Sequence, residues 1–312
     1  MAKKLNSLQA IIDHAQVLGA RHGPCPLAVA VAQDSNVLGA VVEAHRSGIA
    51  RGILYGCRDK MLRLAEEEGL SLDGLEIVDI PDDLAAARAA VAAVDAGEAR
   101  LLMKGFVKTG ELLRLVLSKD FRLRLGNLLT HVALMEIPAF HKLVIITDGG
   151  MVVKPSLEDK ISIIENAGAV LHALGVRKPR VAVLSMTDVV HPGLESTIEN
   201  ATLGKMGDRG QFKNLVVDGP ITFDAAFSDF AALYHGLHSP VAGNADILVV
   251  NSIEEGNILI KTLVFFAEAR FAGIIAGARV PISLVSRTDS LFNKKASIAL
   301  GVVLGHAPER RG

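Results

Sequence analysis

Short apolar segments alternate with segments of helical spacing along most of this chain, and that alternation restricts the fold more than any other feature. Residues 26–32 form an apolar run, which is typical of a strand buried on both faces. A helical pattern follows at 36–46, then a strand at 52–55 and a helix at 58–68. Repeated strand–helix units predict a largely parallel sheet covered by helices on both faces, the doubly wound α/β architecture.

The alternation is interrupted in the middle of the chain. Residues 130–136 and 143–147 have the pattern of two successive strands, which indicates a hairpin, and Asp148-Gly149-Gly150 follows as a turn. Beyond this turn the strand–helix alternation resumes, and it ends with a helix predicted at 253–270 and a strand at 282–285.

Two domains follow from this pattern. We predict two doubly wound α/β lobes. The first predicted domain is discontinuous and comprises 1–147 plus 275–312, and the second comprises 148–274.

Composition excludes several functions. Lysine plus arginine total 33 and aspartate plus glutamate total 34, so the chain has no general attraction to nucleic acid or to an anionic membrane. The only two cysteines, Cys25 and Cys57, form no C-x-x-C motif, which favours a reducing compartment. No uncharged apolar run approaches the roughly 18 residues of a membrane helix. The sequence predicts a cytoplasmic protein.

Several common catalytic signatures are missing. The sequence contains no G-x-G-x-x-G, no phosphate-binding P-loop with its lysine, no G-x-S-x-G and no H-E-x-x-H. His235 and His238 are three residues apart, but no third candidate ligand lies near them, so no metal site is predicted.

Polar residues at the ends of predicted strands are the candidates for a site, because ligands of open α/β sheets bind at the carboxyl ends of the strands. Ser286-Arg287 follows the last apolar segment, and the planar arginine fork suits phosphate oxygens. Lys104-Gly105 ends another strand, where glycine would let a ligand approach the backbone. Thr130-His131 begins a strand. The alternative for Arg287 is an ordinary salt bridge, and the alternative for Lys104-Gly105 is a surface turn. For His131 it is a place in the core.

A helix near the end of the second domain adds two candidates. Ser252-x-x-Glu255 predicts a capping box that begins this helix. Asn257 and Lys261 are four residues apart and therefore share one face of the helix. The alternative to a binding role is an ordinary solvated face. The aspartates at other strand ends, of which Asp148 is one, have the ordinary pattern of caps or turns.

The chain contains a set of longer motifs, which include LLMKGFVKTGELLRLVL (101–117), LLTHVALMEIP (128–138), VVDGPITFDAAFS (216–228), SPVAGNADILVV (239–250), EEGNILIKTLVFFA (254–267) and LVSRTDS (284–290). In these motifs and in their order, the chain resembles one known family, that of the phosphate acetyltransferases and phosphate butyryltransferases. The motif LVSRTDS resembles the butyryltransferase branch more closely.

The resemblance implies a reversible acyl transfer, in which an acyl-CoA (acetyl, propionyl or butyryl) and inorganic phosphate give an acyl phosphate and CoA by direct transfer in a ternary complex. It implies no permanently bound cofactor, with coenzyme A as a substrate. It also implies a fold like that of the isocitrate and isopropylmalate dehydrogenases, with two doubly wound three-layer α/β lobes around a cleft, and a homodimer or higher homo-oligomer. A metal- and NAD(P)-dependent decarboxylating dehydrogenase on this fold and a non-catalytic CoA-binding protein are the alternatives.

The resemblance also implies roles for the candidate residues. Arg287 would hold the phosphoryl group, and Ser286 would hydrogen-bond the reacting thioester. Some acetyltransferases have an aspartate base seven residues after that serine, where this chain has Asn293. Asp289 and His131 are therefore the candidate bases. The residues predicted to bind substrate are Lys104, Thr130, His131, Asn257 and Lys261.

Overall fold

The structure is a computed structural model that describes residues 5–125, 128–284 and 289–307. Within these ranges the chain forms eleven strands and eleven helices. The strands are β1 Cys25–Ala30, β2 Ala50–Gly56, β3 Glu76–Asp79, β4 Leu101–Lys104, β5 Thr130–Glu136, β6 Val144–Thr147, β7 Arg180–Leu184, β8 Val216–Ile221, β9 Ile247–Val249, β10 Arg270–Ala276 and β11 Ile282–Ser283. The helices are α1 Leu8–His22, α2 Ser35–Arg46, α3 Arg58–Glu67, α4 Asp83–Ala96, α5 Thr109–Val116, α6 Leu157–Ala173, α7 Glu195–Asp208, α8 Phe223–Phe227, α9 Asp229–Tyr234, α10 Ile253–Phe266 and α11 Leu291–Gly305.

The chain divides into two compact units. We name the units by their place in the sequence: the outer unit comprises Ser7–Asn127 with Phe271–Gly312, and the central unit, mostly from the middle of the sequence, comprises Met1–Asn6 with Leu128–Arg270. β5 and β6 fall in the central unit because they pair with each other and β6 also pairs with β9. The sequence instead predicts the first divide after the hairpin, at 147/148. As a statement about folding domains, the predicted boundaries stay a prediction.

The sheet of the outer unit has the strand order β3-β2-β1-β4-β11-β10. Its first five strands are parallel, and β10 runs antiparallel to β11. The chain moves outward from β1 to β3 and then returns to place β4 on the other side of β1. This reversal is a topological switch point, and crevices for ligands form at the carboxyl ends of the two strands that flank such a point.

The sheet of the central unit has the strand order β5-β6-β9-β7-β8. β5 and β6 form the predicted antiparallel hairpin, and the strands from β6 to β8 are parallel. Because β5 runs opposite to β6, its first residues, Thr130 and His131, lie at the edge where β6 and β9 end.

The core is aliphatic, as the composition indicates. Residues Leu27 to Ala30 of β1 have no exposed surface, which confirms a strand buried on both faces. α4 packs against β1 and β2, and its buried residues include Ala86, Ala90 and Val94. Small alanine side chains let the helix approach the sheet closely. The predicted α/β class with doubly wound parallel sheets is confirmed.

One predicted element is wrong at its end. The helix predicted at 253–270 stops at Phe266, and Arg270–Ala276 forms the strand β10, which the sequence analysis missed. A short apolar run fits the helical and the strand template equally well, and the antiparallel partner β11 decides in favour of the strand. Among the helices of the described residues, none combines the length and the apolar character needed to span a membrane.

Candidate active site

Lys104 is the last residue of β4 and pairs with Ala30 at the end of β1, so it lies at the switch point of the outer unit. Its side chain is half-buried. Its ammonium group donates hydrogen bonds to the carbonyl oxygens of Gly105 at 3.0 Å and Val107 at 3.1 Å. The lysine is therefore held over its own loop, at the edge where the sequence places it.

Gly105 is required by the neighbouring backbone. A Cβ at this position would meet the carbonyl oxygen of Val31. The N–H of Gly105 donates to the carbonyl oxygen of Ala30 at 2.9 Å, and the N–H of Phe106 donates to Val31 at 2.6 Å. Val31 itself has a φ of 60°, which is uncommon for a β-branched residue. The contact between two strand ends therefore requires the glycine, and the close approach of a ligand stays a prediction.

Asp289 precedes α11, the helix that follows β11. Its carbonyl oxygen accepts a hydrogen bond from the buried ammonium of Lys294, whose side chain is 1% exposed. Burial lowers the pKa of Lys294, and the carboxylates of Asp289 and Asp34 oppose that shift. Asp289 therefore lies beside a buried lysine that the sequence analysis did not single out.

Asn293 has a structural role. Its side-chain oxygen accepts a hydrogen bond from the backbone N–H of Phe271 at 3.3 Å, and the residue is 5% exposed. The position where some family members carry an aspartate is thus occupied here by a buried side-chain amide that accepts from a backbone N–H.

Thr130 is the first residue of β5 and is completely buried. Its hydroxyl oxygen accepts a hydrogen bond from the Asn166 amide on α6 at 3.1 Å. The same amide donates to the carbonyl oxygen of Leu128 at 2.9 Å. α6 therefore fixes the start of β5.

His131 is anchored through its backbone to Asp148. Its N–H donates to Oδ2 of Asp148 at 2.8 Å, and Oδ1 of the same carboxylate accepts from Gly150 at 2.8 Å and from Met151 at 2.7 Å. Asp148 is 1% exposed, so this carboxylate organises the turn after β6 from inside. The sequence indicates only a cap or turn role for Asp148, and no local signal shows that it holds a candidate site residue.

The imidazole of His131 is 9% exposed, and its Nδ1 atom has no hydrogen-bond partner among the described residues. Burial lowers the pKa of this imidazole, and the Asp148 carboxylate opposes part of the shift. The ring therefore favours its neutral form, which can accept a proton.

α10 meets this turn at its first residues. The Ser252 hydroxyl accepts a hydrogen bond from the Glu255 N–H at 3.2 Å, which confirms the predicted N-cap. The reciprocal half of the capping box is wrong, because the Glu255 carboxylate accepts from the N–H of Asn251 at 2.9 Å. A Cβ on Gly149 would lie 2.8 Å from the backbone of Gly256, so α10 packs directly on the turn.

Asn257 and Lys261 follow on the same helix. The Asn257 amide donates to the carbonyl oxygen of Gly149 at 3.4 Å. Asn257 and Lys261 are both exposed. The central unit thus brings Thr130, His131 and Asn257 to one edge around the turn, with Lys261 one helical turn further along.

In the outer unit, Lys104 is the last residue of β4, and Asp289 comes after the adjacent parallel strand β11. Ser286 and Arg287, the pair predicted to be catalytic, lie outside the described residues. So does the end of the strand predicted at 282–285.

Comparison with known proteins identifies the family. The family model described as "Phosphate acetyl/butaryl transferase" matches residues 84–302, well over half of the chain. The chain belongs to this phosphate acetyl/butyryl transferase family. A phosphate butyryltransferase from Clostridium beijerinckii is 42% identical over 89% of this chain and 92% of its own length. A phosphate acetyltransferase from Thermotoga maritima is 43% identical over 89% of this chain and 94% of its own length.

Solved structures agree with the family and with the fold. A branched-chain phosphotransacylase from Enterococcus faecalis has a TM-score of 0.80 and 30% identity, and the match covers 90% of this phosphate acyltransferase and 99% of that chain. A 4-hydroxythreonine-4-phosphate dehydrogenase from Klebsiella pneumoniae has a TM-score of 0.55 and 14% identity over 90% and 99% of the two chains, so it shares the fold alone. The predicted family and the predicted dehydrogenase-like fold class are both confirmed.

Proposed function

We propose that this enzyme transfers an acetyl, propionyl or butyryl group reversibly between coenzyme A and inorganic phosphate, by direct transfer within a ternary complex. The match to the family model over residues 84–302 carries the proposal. Polar residues at the ends of strands support it, because the chemistry needs cationic and hydroxyl donors for an incoming anion.

The reaction joins a phosphate oxygen to the thioester carbonyl carbon and breaks the carbon–sulfur bond. Negative charge grows on the carbonyl oxygen in the transition state, and the CoA thiolate that leaves takes up a proton. Fixed donors directed at that oxygen provide the largest stabilisation in such reactions. We assign Arg287 to the phosphoryl group and Ser286 to the thioester, as the family resemblance implies.

The remaining predicted binding residues have complementary roles. Lys104 would add positive charge near the phosphate, and Asn257 and Lys261 on α10 would bind the second substrate. Thr130 and His131, at the start of β5, would also bind substrate. Holding both substrates in one geometry adds the proximity contribution to catalysis.

His131 and Asp289 are the proposed proton acceptors for the reverse direction, in which the CoA thiol must lose its proton. Burial lowers the pKa of His131 and so keeps its imidazole neutral, but the same shift makes it a weaker base, so this assignment rests on the position of His131 at the start of β5. Asn293 cannot serve, since an amide side chain has no useful basicity and its oxygen already accepts from Phe271.

The rival dehydrogenase would need carboxylates that converge on a metal ion. In the three described stretches, no group of three or more histidine, cysteine, aspartate or glutamate residues is arranged to hold one. Asp148 is engaged by three backbone N–H groups, and Asp246 pairs with Lys142 at 2.6 Å. The family match favours acyl transfer over this alternative, and the prediction that no metal binds stays a prediction.

A homo-oligomer also stays a prediction. Phe265 and Phe266 at the end of α10 are each 81% exposed, and large exposed aromatic side chains support burial against a second copy.

A direct assay tests the proposed function. Purified protein is incubated with CoA and with acetyl, propionyl or butyryl phosphate in turn, and the thioester absorbance is followed. Turnover with at least one acyl phosphate is expected, and the ratio of the three values of kcat/KM reports the chain-length preference. If none of the three acyl phosphates gives a thioester, acyl transfer is refuted. Tight CoA binding without turnover would favour the non-catalytic alternative.

A further inference from the structure

Lys160 is a buried lysine of α6 whose ammonium group is saturated with oxygen atoms. Its side chain is 1% exposed. The ammonium donates to the Glu199 carboxylate at 2.7 Å, to Oδ1 of Asn200 at 3.1 Å and to Oδ1 of Asn251 at 2.9 Å. The three donors of the ammonium thus point to three residues of the central unit, at the edge where β7 and β9 end.

Stability alone does not account for such a residue. Removing a lysine from water costs several kcal/mol, and apolar residues of similar volume often replace buried ion pairs without loss of stability. Glu199 and Asn200 belong to α7, whereas Asn251 lies between β9 and α10.

Asn251 is the residue through which Lys160 reaches α10. Because its Oδ1 atom accepts from Lys160, its Nδ2 atom faces the carbonyl oxygen of Leu184, to which it donates at 2.8 Å. Its backbone N–H donates to the Glu255 carboxylate in the first turn of α10. The lysine thus decides the orientation of the amide, and the amide ties the ends of β7 and β9 to the start of α10.

The first turn of α10 leads directly to the candidate site. Gly256 packs on Gly149, and Asn257 donates to the carbonyl oxygen of Gly149. We propose that Lys160 is a positioning residue that fixes the start of α10 and, through it, the substrate contacts of Asn257 and Lys261.

The substrate affected should be coenzyme A. This step rests on the proposed function. Lys261 is an exposed cation one turn beyond Asn257, and CoA carries phosphate groups far from its reacting thiol. An exposed lysine suits such solvent-facing phosphates, whereas inorganic phosphate is assigned to Arg287 and Lys104.

Lys142 provides a matched control within the same unit. It is also a buried lysine, 10% exposed, and its ammonium donates to the Asp246 carboxylate at 2.6 Å and to the carbonyl oxygen of Asn244 at 2.8 Å. This pair lies before β9, at the opposite end of the strand from Asn251. A general loss of stability should appear in both variants, but a loss of positioning only in Lys160→Met.

The first experiment compares Lys160→Met with Lys142→Met by steady-state kinetics. We expect Lys160→Met to raise KM for CoA by about tenfold, while KM for the acyl phosphate and kcat change by less than about threefold. Lys142→Met should leave all three within about twofold. Equal changes in both variants would reduce Lys160 to an ordinary structural ion pair.

Asn251→Ala tests the same contact from its other side and serves if Lys160→Met does not fold. It should reproduce the rise in KM for CoA. The double variant Lys160→Met with Asn251→Ala should be no worse than either single variant, because residues that act through one contact are not additive. Additive effects of the two substitutions on KM would contradict the proposed chain of contacts.

Hydrogen–deuterium exchange separates this proposal from the proposed function, since it needs no turnover. Peptides covering 251–266 should exchange faster in Lys160→Met and Asn251→Ala than in Lys142→Met or the wild type. If the wild type shows no acyl transfer but this difference appears, the function fails and the positioning role stands. If α10 exchanges at the wild-type rate in both Lys160→Met and Asn251→Ala, the positioning role is overturned, whatever the activity.

Discussion

The backbone N–H of His131 donates a hydrogen bond to the carboxylate of Asp148 at 2.8 Å, which ties the start of strand β5 to the turn that follows β6. The same carboxylate accepts from Gly150 and Met151. A single buried anion therefore sets both the histidine and the surface on which α10 packs.

Replacing Asp148 with asparagine should destabilise the protein. The carboxylate satisfies three backbone N–H groups, and an asparagine turns an N–H₂ group toward at least one of them. We expect a loss of about 1–3 kcal/mol in the free energy of unfolding, measured by urea denaturation. Asp208→Asn, whose side chain is 65% exposed, should change it by less than about 0.5 kcal/mol. Similar losses in both variants would contradict the buried role of Asp148.

Gly149→Ala should displace the start of α10. The added Cβ would lie 2.8 Å from the backbone of Gly256 and 3.0 Å from the N atom of Asn257, and backbone atoms cannot rotate aside. We expect an increase of at least about tenfold in KM for CoA and a loss of about 1–3 kcal/mol in stability. Gly110→Ala on α5 is the control, because its Cβ would meet nothing within 4 Å. Wild-type kinetics in Gly149→Ala would show that the contact does not matter for binding.

Arg287→Ala should remove most of the activity. If the guanidinium holds the phosphoryl group during transfer, its loss should lower kcat by about 100- to 1000-fold, as for a lost oxyanion donor. Arg287→Lys should recover only part of the rate, because a lysine cannot form the bidentate contact. Initial rates with saturating CoA measure the effect. A loss of activity below about tenfold would remove Arg287 from the central role.

His131 should make the protein less stable in mild acid. Its pKa is lower in the folded protein because of burial, so the unfolded chain binds more protons at pH values below about 6.5. The free energy of unfolding therefore falls as the pH falls through that value. His131→Gln removes this contribution, and its stability should decline less steeply between about pH 7 and pH 5. Parallel urea titrations of the two proteins measure the slopes, and identical slopes would contradict a buried neutral imidazole.

Elements that depend on nearby residues could be predicted from the sequence. The hairpin of β5 and β6 and the N-cap at Ser252 follow from periodicity and from residue types a few positions apart. β10 was missed because its strand character comes from pairing with β11 rather than from its own residues. Lys160 gave no signal at all, since a lysine within a helix ordinarily faces solvent.

The α/β class, the family and the strand-end positions of the candidate residues follow from the sequence alone, because alternating patterns and ordered motifs are properties of the chain. Which residues meet depends on the tertiary structure. The contact of Asn257 with Gly149 joins residues 108 positions apart, and Lys160 reaches Asn251 across 91 positions. Strand order and helix packing create such neighbours, and both depend on burying the apolar surface of the whole unit at once.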